Sequence, residues 1–275
     1  MFRDSFKSRY TTIPFAFCKQ RTSDTPFNLL AHQHKEAELI SVVEGSVDFY
    51  IDCIRYELKA GDALVIPPFA IHRASVSRNT YYDCICFDLS LLWDKTLTKG
   101  LERGALTVSG SVHASLPYTS DVRQCIKCAI DACERGAAGW ELDAIGNLSI
   151  LFSRLKSSSF FVASTDKAPE HSFGKSVLEY IKMHFSESIT SRTAAVALYL
   201  NNSYFCRLFK KNFGCCFSEY LLEYRIEKAK SLLRNRERSI SEIAIGVGFN
   251  SFSYFSKVFK RQTGMSPSEY RGLAD

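Results

Sequence analysis

The chain contains one stretch twice. Residues 203–220 read SYFCRLFKKNFGCCFSEY and residues 253–270 read SYFSKVFKRQTGMSPSEY. Nine of the eighteen positions are identical, and Arg207/Lys257, Leu208/Val258, Lys211/Arg261 and Asn212/Gln262 are close in kind. An internal repeat means one structural unit used twice, so any fold assigned to the chain must hold two copies of it.

Each copy has the pattern of a short helix, a turn and a second helix. In the second copy Ile240, Ile243, Ala244 and Val247 fall at i, i+3, i+4, i+7, one apolar stripe. Ser239 or Ser241 can cap that helix. Gly246 and Gly248 then break the pattern, and Gly248 suits a turn that needs positive φ. Asn250 can cap the next helix, on which Phe255, Val258 and Phe259 face inward and Ser253, Ser256, Lys257 and Lys260 face outward. In the first copy Ala194, Ala195 and Leu198 face inward on the leading helix. On its second helix Phe205, Leu208 and Phe209 face inward, with Ser203, Cys206, Arg207 and Lys210 outward. The first turn, Tyr199-Leu200-Asn201, has no glycine. Between the copies, Phe217 to Leu233 has no Gly or Pro, and Leu221, Leu222, Ile226, Ala229 and Leu233 recur at helical spacing.

A single helix pair with lysines outward is ordinarily a solvated surface. Two copies with the same polar, cationic outer stripe point instead to a duplex, whose major groove admits an α-helix and rewards hydrogen-bonding side chains. One long helix between the copies would set two such helices about one duplex turn, ~34 Å, apart.

The charge distribution agrees. Net charge is +6, but from Gly174 onward there are 16 Lys and Arg against 9 Asp and Glu, while the rest of the chain holds 19 against 20. The whole cationic excess sits with the repeat, the footprint of a nucleic-acid domain joined to a neutral partner. At 275 residues and 46% hydrophobic content the chain suits two domains. No apolar stretch reaches the length of a membrane span, and MFRDSFKSRY at the N-terminus lacks a signal-peptide core. A cytoplasmic protein without membrane contact is therefore expected, with its ten cysteines as free thiols serving as small apolar residues.

The segment from about Gly174 to Tyr270 resembles the DNA-binding domain of the AraC/XylS family of bacterial transcription regulators. The matching residues are IAIGVGFNSFSYFSKVFKRQTGMSPSEYR, Ile243 to Arg271, and YRIEKAKSLL, Tyr224 to Leu233. The resemblance implies base contacts from Ser203, Cys206 and Arg207 in the first copy, and from Phe252, Ser253, Ser256 and Lys257 in the second. It implies phosphate contacts from Lys210, Lys211, Lys260 and Arg261. The first copy departs from the family at Ala194, where leucine is usual, and at Asn201-Asn202, where Ser-Pro is usual.

From Ala37 to Phe87 the text changes to short β-branched and aromatic runs, ELISVV, SVDFYID, ALVIPP, HRASVS and YYDCICF. Turn signals separate them at Glu44-Gly45, Asp52-Cys53, Ala60-Gly61-Asp62 and Pro67-Pro68, as in a sandwich or barrel. His32-x-His34, three residues, Glu38, six residues, Gly45, then Gly61, five residues, Pro67 and finally His72 resemble the two cupin motifs. The second motif departs at Phe69, where glycine is usual, and at Val76, where asparagine is usual. A cupin barrel ahead of this DNA-binding domain is the arrangement of sugar-responsive AraC-family members.

His32, His34, Glu38 and His72 are thus candidate effector-binding residues in the barrel mouth. They are also the ligands of any divalent metal there, since imidazole and carboxylate suit Zn, Fe, Mn or Ni. No cofactor is expected. Phe15, Phe17 and Phe27 of the leading arm either cover that pocket or belong to the core.

Asp121 to Arg135 and Glu141 to Lys156 read as two helices broken at Gly136 to Gly139. The first carries Val122, Cys125, Ile126, Ala129 and Cys133 on one face, the second Leu142, Ile145, Leu148, Ser149, Phe152 and Leu155. They resemble the antiparallel dimerisation helices of the same family; the alternative is packing on their own barrel. Cys125, Cys128 and Cys133 lack the second CxxC pair of a zinc site.

The expected architecture is α+β with two domains. A cupin-like β-barrel with dimerisation helices spans 1–160, a polar linker 161–173, and an all-α domain with two helix-turn-helix units 174–275. The expected function is a sequence-specific, DNA-binding transcription activator, not an enzyme. It would respond to a small polar effector such as a sugar or related metabolite. Its expected partners are double-stranded promoter DNA, the effector, RNA polymerase and a second copy of the chain. Two alternatives stay open: a metal-dependent cupin enzyme localised by its C-terminal domain, and a thiol redox regulator using Cys206 or the Cys125 cluster.

Overall fold

The computed structural model describes residues 14–21, 27–164, 169–234 and 237–272. The chain divides into two units, 2–171 and 172–275.

In the first unit the strands among the described residues are β1 (Phe15–Arg21), β2 (Phe27–His32), β3 (Ala37–Glu44), β4 (Ser46–Ile51), β5 (Ile54–Lys59), β6 (Ala63–Ile66), β7 (His72–Val76), β8 (Tyr81–Phe87), β9 (Leu106–Val108) and β10 (Phe161–Ala163). Eight of them form two four-stranded sheets in the orders β1-β8-β3-β6 and β2-β7-β4-β5, with antiparallel pairing. Helices α1 (Lys95–Glu102), α2 (Thr119–Arg135) and α3 (Trp140–Ser157) follow the strands.

The two-residue pleat builds two cores in this unit. On β3, Ile40 and Val42 point between the sheets with Phe49, Leu58, Leu64, Ile66 and Tyr82. The alternate residues Ala37 and Leu39 point outward, onto a second core shared with α2 and α3. Phe15 and Phe17 are buried in that second core, so both belong to it and line no pocket. The side chain of Phe27 lies outside the described residues.

The apolar face of α2, Val122, Cys125, Ile126, Ala129 and Cys133, packs in the same core. On α3 the buried stripe is Trp140, Ala144, Leu148, Leu151, Phe152 and Leu155. Leu142, expected inward, is 76% exposed, because two residues from Ala144 is about 200° round a helix. The faces assigned from sequence to a partner chain are therefore largely taken up by the barrel's own sheet. Phe161–Ala163, assigned from sequence to the linker, instead pairs with β9, and Phe161 stacks on Phe152 at 5.6 Å.

The second unit is helical: α4 (Pro169–His184), α5 (Ser191–Ala197), α6 (Asn202–Phe213), α7 (Phe217–Leu233), α8 (Ile240–Gly246), α9 (Phe252–Thr263) and α10 (Pro267–Gly272). The long helix α7, about 26 Å at 1.5 Å per residue, serves both copies of the repeat. At its start Phe217 and Tyr220 meet Phe205, Phe209 and Phe213 of the first copy. Towards its end Ile226, Ala229 and Leu233 pack with Ile243, Ala244, Val247, Phe255, Val258 and Phe259 of the second.

Ser239, rather than Ser241, caps α8: its hydroxyl accepts from Glu242 N at 3.2 Å, and its own N–H donates to the Glu242 carboxylate at 2.7 Å. Ser251, rather than Asn250, caps α9. Asn250 lies one position too early, because the turns differ in length. Two residues, Tyr199 and Leu200, separate the helix caps in the first copy; three, Gly248, Phe249 and Asn250, separate them in the second.

Both turns need a left-handed residue, Gly248 at φ +92° and Tyr199 at φ +57°. A tyrosine there costs about 1–2 kcal/mol, and at 97% exposure its ring gains nothing from packing. Glycine removes that cost but loses about 0.5–1 kcal/mol of chain entropy. Tyr199→Gly is thus expected to stabilise the unit by about 0.5–1 kcal/mol in urea denaturation. A destabilised variant would mean that the turn is not strained.

Candidate nucleic-acid interface and barrel site

The second helices of the two repeats, α6 and α9, are built alike. Asn201 accepts from Tyr204 N at 2.8 Å and Ser251 from Tyr254 N at 3.3 Å, fixing where each helix starts. Gly214 and Gly264 end them in left-handed conformation, each donating its N–H to a lysine carbonyl, Lys210 or Lys260. Phe205 and Phe209 anchor α6; Phe255, Val258 and Phe259 anchor α9. Leu208, expected inward, is half-buried.

With the inner faces fixed, the outer faces follow. Ser203, Cys206, Arg207, Lys210 and Lys211 are exposed on α6. Phe252, Ser253, Lys257, Lys260 and Arg261 are exposed on α9, and Ser256 is half-buried. Neither helix contains an acidic residue, so the charge on both outer faces is purely cationic. Lys210 and Lys211, like Lys260 and Arg261, occupy the last turn, where the helix dipole favours cations.

Sequence reasoning overlooked Tyr204 and Tyr254. Both are exposed, beside Ser203 and Ser253, and the Arg207 guanidinium lies 5.5 Å from the Tyr204 ring centroid. Their identity at equivalent repeat positions was the available signal.

The barrel brings His32, His34, Glu38 and His72 together, with one ligand atom of each lying within 4.8 Å of the others. His32 ends β2, His72 opens β7, and the two are register partners. Glu38 lies on β3 and points into the barrel, and His34 sits in the loop before it. Glu38 and His72 are buried, whereas His32 and His34 are half-buried.

Each imidazole is oriented by a backbone carbonyl at Nδ1: His32 by Leu30 at 2.9 Å, His34 by Glu36 at 3.0 Å, and His72 by Ala70 at 2.9 Å. With Nδ1–H donating, the Nε2 atoms face the interior. Those of His34 and His72 each lie 3.2 Å from the same Glu38 oxygen, Oε2. His72 Nε2 is buried and, despite that distance, has no geometrically adequate hydrogen bond. The other Glu38 oxygen accepts from the Cys84 thiol at 2.9 Å.

Burial alone would push the Glu38 carboxyl up. The His34 hydrogen bond and the electrostatic effect of the His34 and His72 imidazoles, each 3.2 Å from Oε2, outweigh it and hold the carboxyl well below its usual range. Burial also opposes charge on His34, but Cys86 and Glu38 overcome it and push its pKa up. Desolvation, with the neighbouring His72, pushes His32 down. The donor set fits a divalent cation: inward imidazole nitrogens with their far nitrogens on carbonyls, a buried carboxylate, and one buried nitrogen with no adequate partner. Such an ion would be held by these residues and would supply positive charge to draw anionic or hydroxyl groups into the barrel mouth.

Cys206 is exposed and Cys215 half-buried, whereas Cys125 and Cys133 are buried on the packing face of α2. No helix among the described residues is long and apolar enough to cross a membrane.

Residues 15–151 match the AraC-like ligand binding domain, and residues 194–272 match a helix-turn-helix domain. The uncharacterized HTH-type transcriptional regulator YdeC of Bacillus subtilis (strain 168) is 25% identical over 278 residues, covering 96% of this chain and 94% of that protein. The HTH-type transcriptional activator RhaS of Salmonella arizonae is 28% identical over 152 residues, 54% of each chain. Among solved structures, ToxT from Vibrio cholerae aligns with a TM-score of 0.52 at 17% identity, covering 94% of this chain and 98% of that one, a likeness of fold.

Proposed function

Because this chain belongs to the AraC family, as a DNA-binding transcription regulator with a ligand-binding domain, we propose that it activates transcription in response to a small polar effector held in its barrel mouth. The effector class is a sugar or a related metabolite. The observation that carries the DNA half is the pair of acid-free outer faces on α6 and α9, displayed from one shared helix. Ser203, Cys206 and Arg207 read bases in one groove; Phe252, Ser253, Ser256 and Lys257 read them in the next. Lys210, Lys211, Lys260 and Arg261 set the register on phosphates. The effector half rests on His32, His34, Glu38 and His72, the polar groups that converge in the barrel.

The working assembly in this reading is a cytoplasmic homodimer that recruits RNA polymerase. The name of RhaS as an activator supports the direction of the output. Residues 1–160 sense, 174–275 bind promoter DNA, and the segment between joins them. Two copies double the groove contacts and raise the effective concentration of each. For the effector to regulate, it must bind the DNA-competent and DNA-incompetent states with different affinities.

The test is binding of the full chain to a duplex it selects from random-sequence DNA. Arg207→Ala and Lys257→Ala are each expected to cost about 1–3 kcal/mol with thermal stability retained. Lys260→Ala is expected to lower the slope of log affinity against log salt by about 1. If both base-reading variants hold the selected duplex as tightly as the parent, the assignment of these faces is wrong.

A further inference from the structure

The barrel cluster extends beyond the four motif residues. Glu38, Cys84 and Cys86 form a second group, all buried, with their ligand atoms within 4.8 Å of one another. Strand pairing puts them there: Glu38 on β3 lies opposite Cys86 on β8, and Cys84 is two residues from Cys86 on the same face. One carboxylate is therefore shared between an imidazole group and a thiol group. The Cys84 thiol donates to Glu38 Oε1, while the buried His72 Nε2 faces the other oxygen without an adequate bond. Glu38 belongs to both donor groups and joins them.

This set differs in chemistry from nitrogen and oxygen ligands alone. Thiolates favour borderline and soft ions over iron or manganese in an oxygen-rich shell, and mixed sulfur, nitrogen and oxygen donors suit tetrahedral zinc. We propose that the barrel interior binds a zinc-class divalent cation through Cys84, Cys86 and Glu38, with one imidazole of the His32–His34–His72 group as the fourth donor. On binding, both thiols release their protons to solvent and two metal–sulfur bonds form; no oxidant or reductant is involved. The cation enters past half-buried His34. It takes the place of the Cys84 proton on Glu38. The inference rests on the reading of the barrel as the sensing compartment and names the class of ligand for that site.

Cobalt(II) titration of chelator-stripped, fully reduced full-length protein tests it. The parent is expected to show a thiolate-to-cobalt charge-transfer band with tetrahedral ligand-field bands. Both should saturate at about one ion per chain and be bleached by zinc. Cys84→Ala/Cys86→Ala should lose the charge-transfer band and weaken zinc binding by more than ~100-fold. Cys206→Ala/Cys215→Ala/Cys216→Ala should keep both. Where circular dichroism shows the first variant unfolded, the near-isosteric Glu38→Gln replaces it, and the expected result is zinc binding weakened at least ~10-fold.

Absence of any cobalt spectrum overturns the proposal. So do ligand-field bands without charge transfer, which would mean an imidazole–carboxylate shell only, and a charge-transfer band that survives loss of both thiols. Binding of the metal-free parent to its selected duplex is measured on the same samples. Failure of cobalt binding with duplex binding intact removes this inference alone, and the reverse removes the DNA reading alone.

Discussion

Phe209→Ala is expected to remove about 3–5 kcal/mol from the stability of the helical unit. Phe209 is fully buried, with the rings of Phe205, Phe213, Phe217 and Tyr220 at 5.7, 4.2, 5.4 and 5.7 Å. Those rings belong to two helices, α6 and the start of α7, so they cannot move inward without shifting whole helices. The cavity therefore stays open and its cost adds to the lost transfer energy. A domain is stable by only about 5–15 kcal/mol, so the loss leaves the reading helices of the first copy poorly held. Urea denaturation followed by circular dichroism reads this directly. The two tryptophans, Trp93 and Trp140, both lie in the other unit, so their fluorescence transition supplies an internal reference that should not move. A dichroism midpoint equal to that of the parent would contradict the packing described here.

The second large effect is expected at Gly248. A Cβ added there would lie 2.8 Å from the Phe185 carbonyl oxygen and 2.9 Å from Arg225 Nε and Cζ. Neither neighbour can yield cheaply. The Phe185 oxygen is backbone, and Arg225 donates to it from Nε at 2.7 Å and to the Glu187 carbonyl from Nη2 at 2.7 Å. Gly248→Ala thus combines about 1–2 kcal/mol of left-handed strain with the loss of a hydrogen bond from a charged group, about 1.5–3 kcal/mol. The expected cost is about 3 kcal/mol or more. Gly264 provides the control: its φ is +79°, but nothing lies within 4 Å of an added Cβ. Gly264→Ala should cost only about 1 kcal/mol, the conformational part. Equal costs at the two sites would show that the close approach at Gly248 carries no weight.

How legible these features were in the sequence depended on how local their causes are. The helices Thr119–Arg135, Trp140–Ser157 and Phe217–Leu233 differ by at most two residues from their reading, because each has a clear 3.6-residue stripe between glycine or cap signals. The strands from Ala37 to Phe87 were readable as short β-branched and aromatic runs between turn signals, except Ile54–Lys59, whose exposed charged residues blur the pattern. Phe15–Arg21 and Phe27–His32 were read as an arm, since edge strands become visible only through their partners Tyr81–Phe87 and His72–Val76.

The four motif residues were legible because the chain spells out their spacing, and the barrel does gather them. Cys84 and Cys86 were not. Their proximity to Glu38 depends on which strands pair and in which register, and no local pattern encodes a contact across 46 residues. The cap on α9 was misplaced by one residue because Asn250 and Ser251 are adjacent and both can cap a helix.

The unequal length of the two turns has a consequence of its own. The two copies share nine identical positions over residues 203–220 and 253–270, yet their second helices leave the first helices by connections of different length and are anchored to different ends of α7. No rotation can exchange them. A molecule whose two contact faces are related but not interchangeable has a head and a tail when laid along a duplex. It does not need an asymmetric target to acquire polarity; it brings polarity with it, and a process that must start in one direction can take its bearing from that.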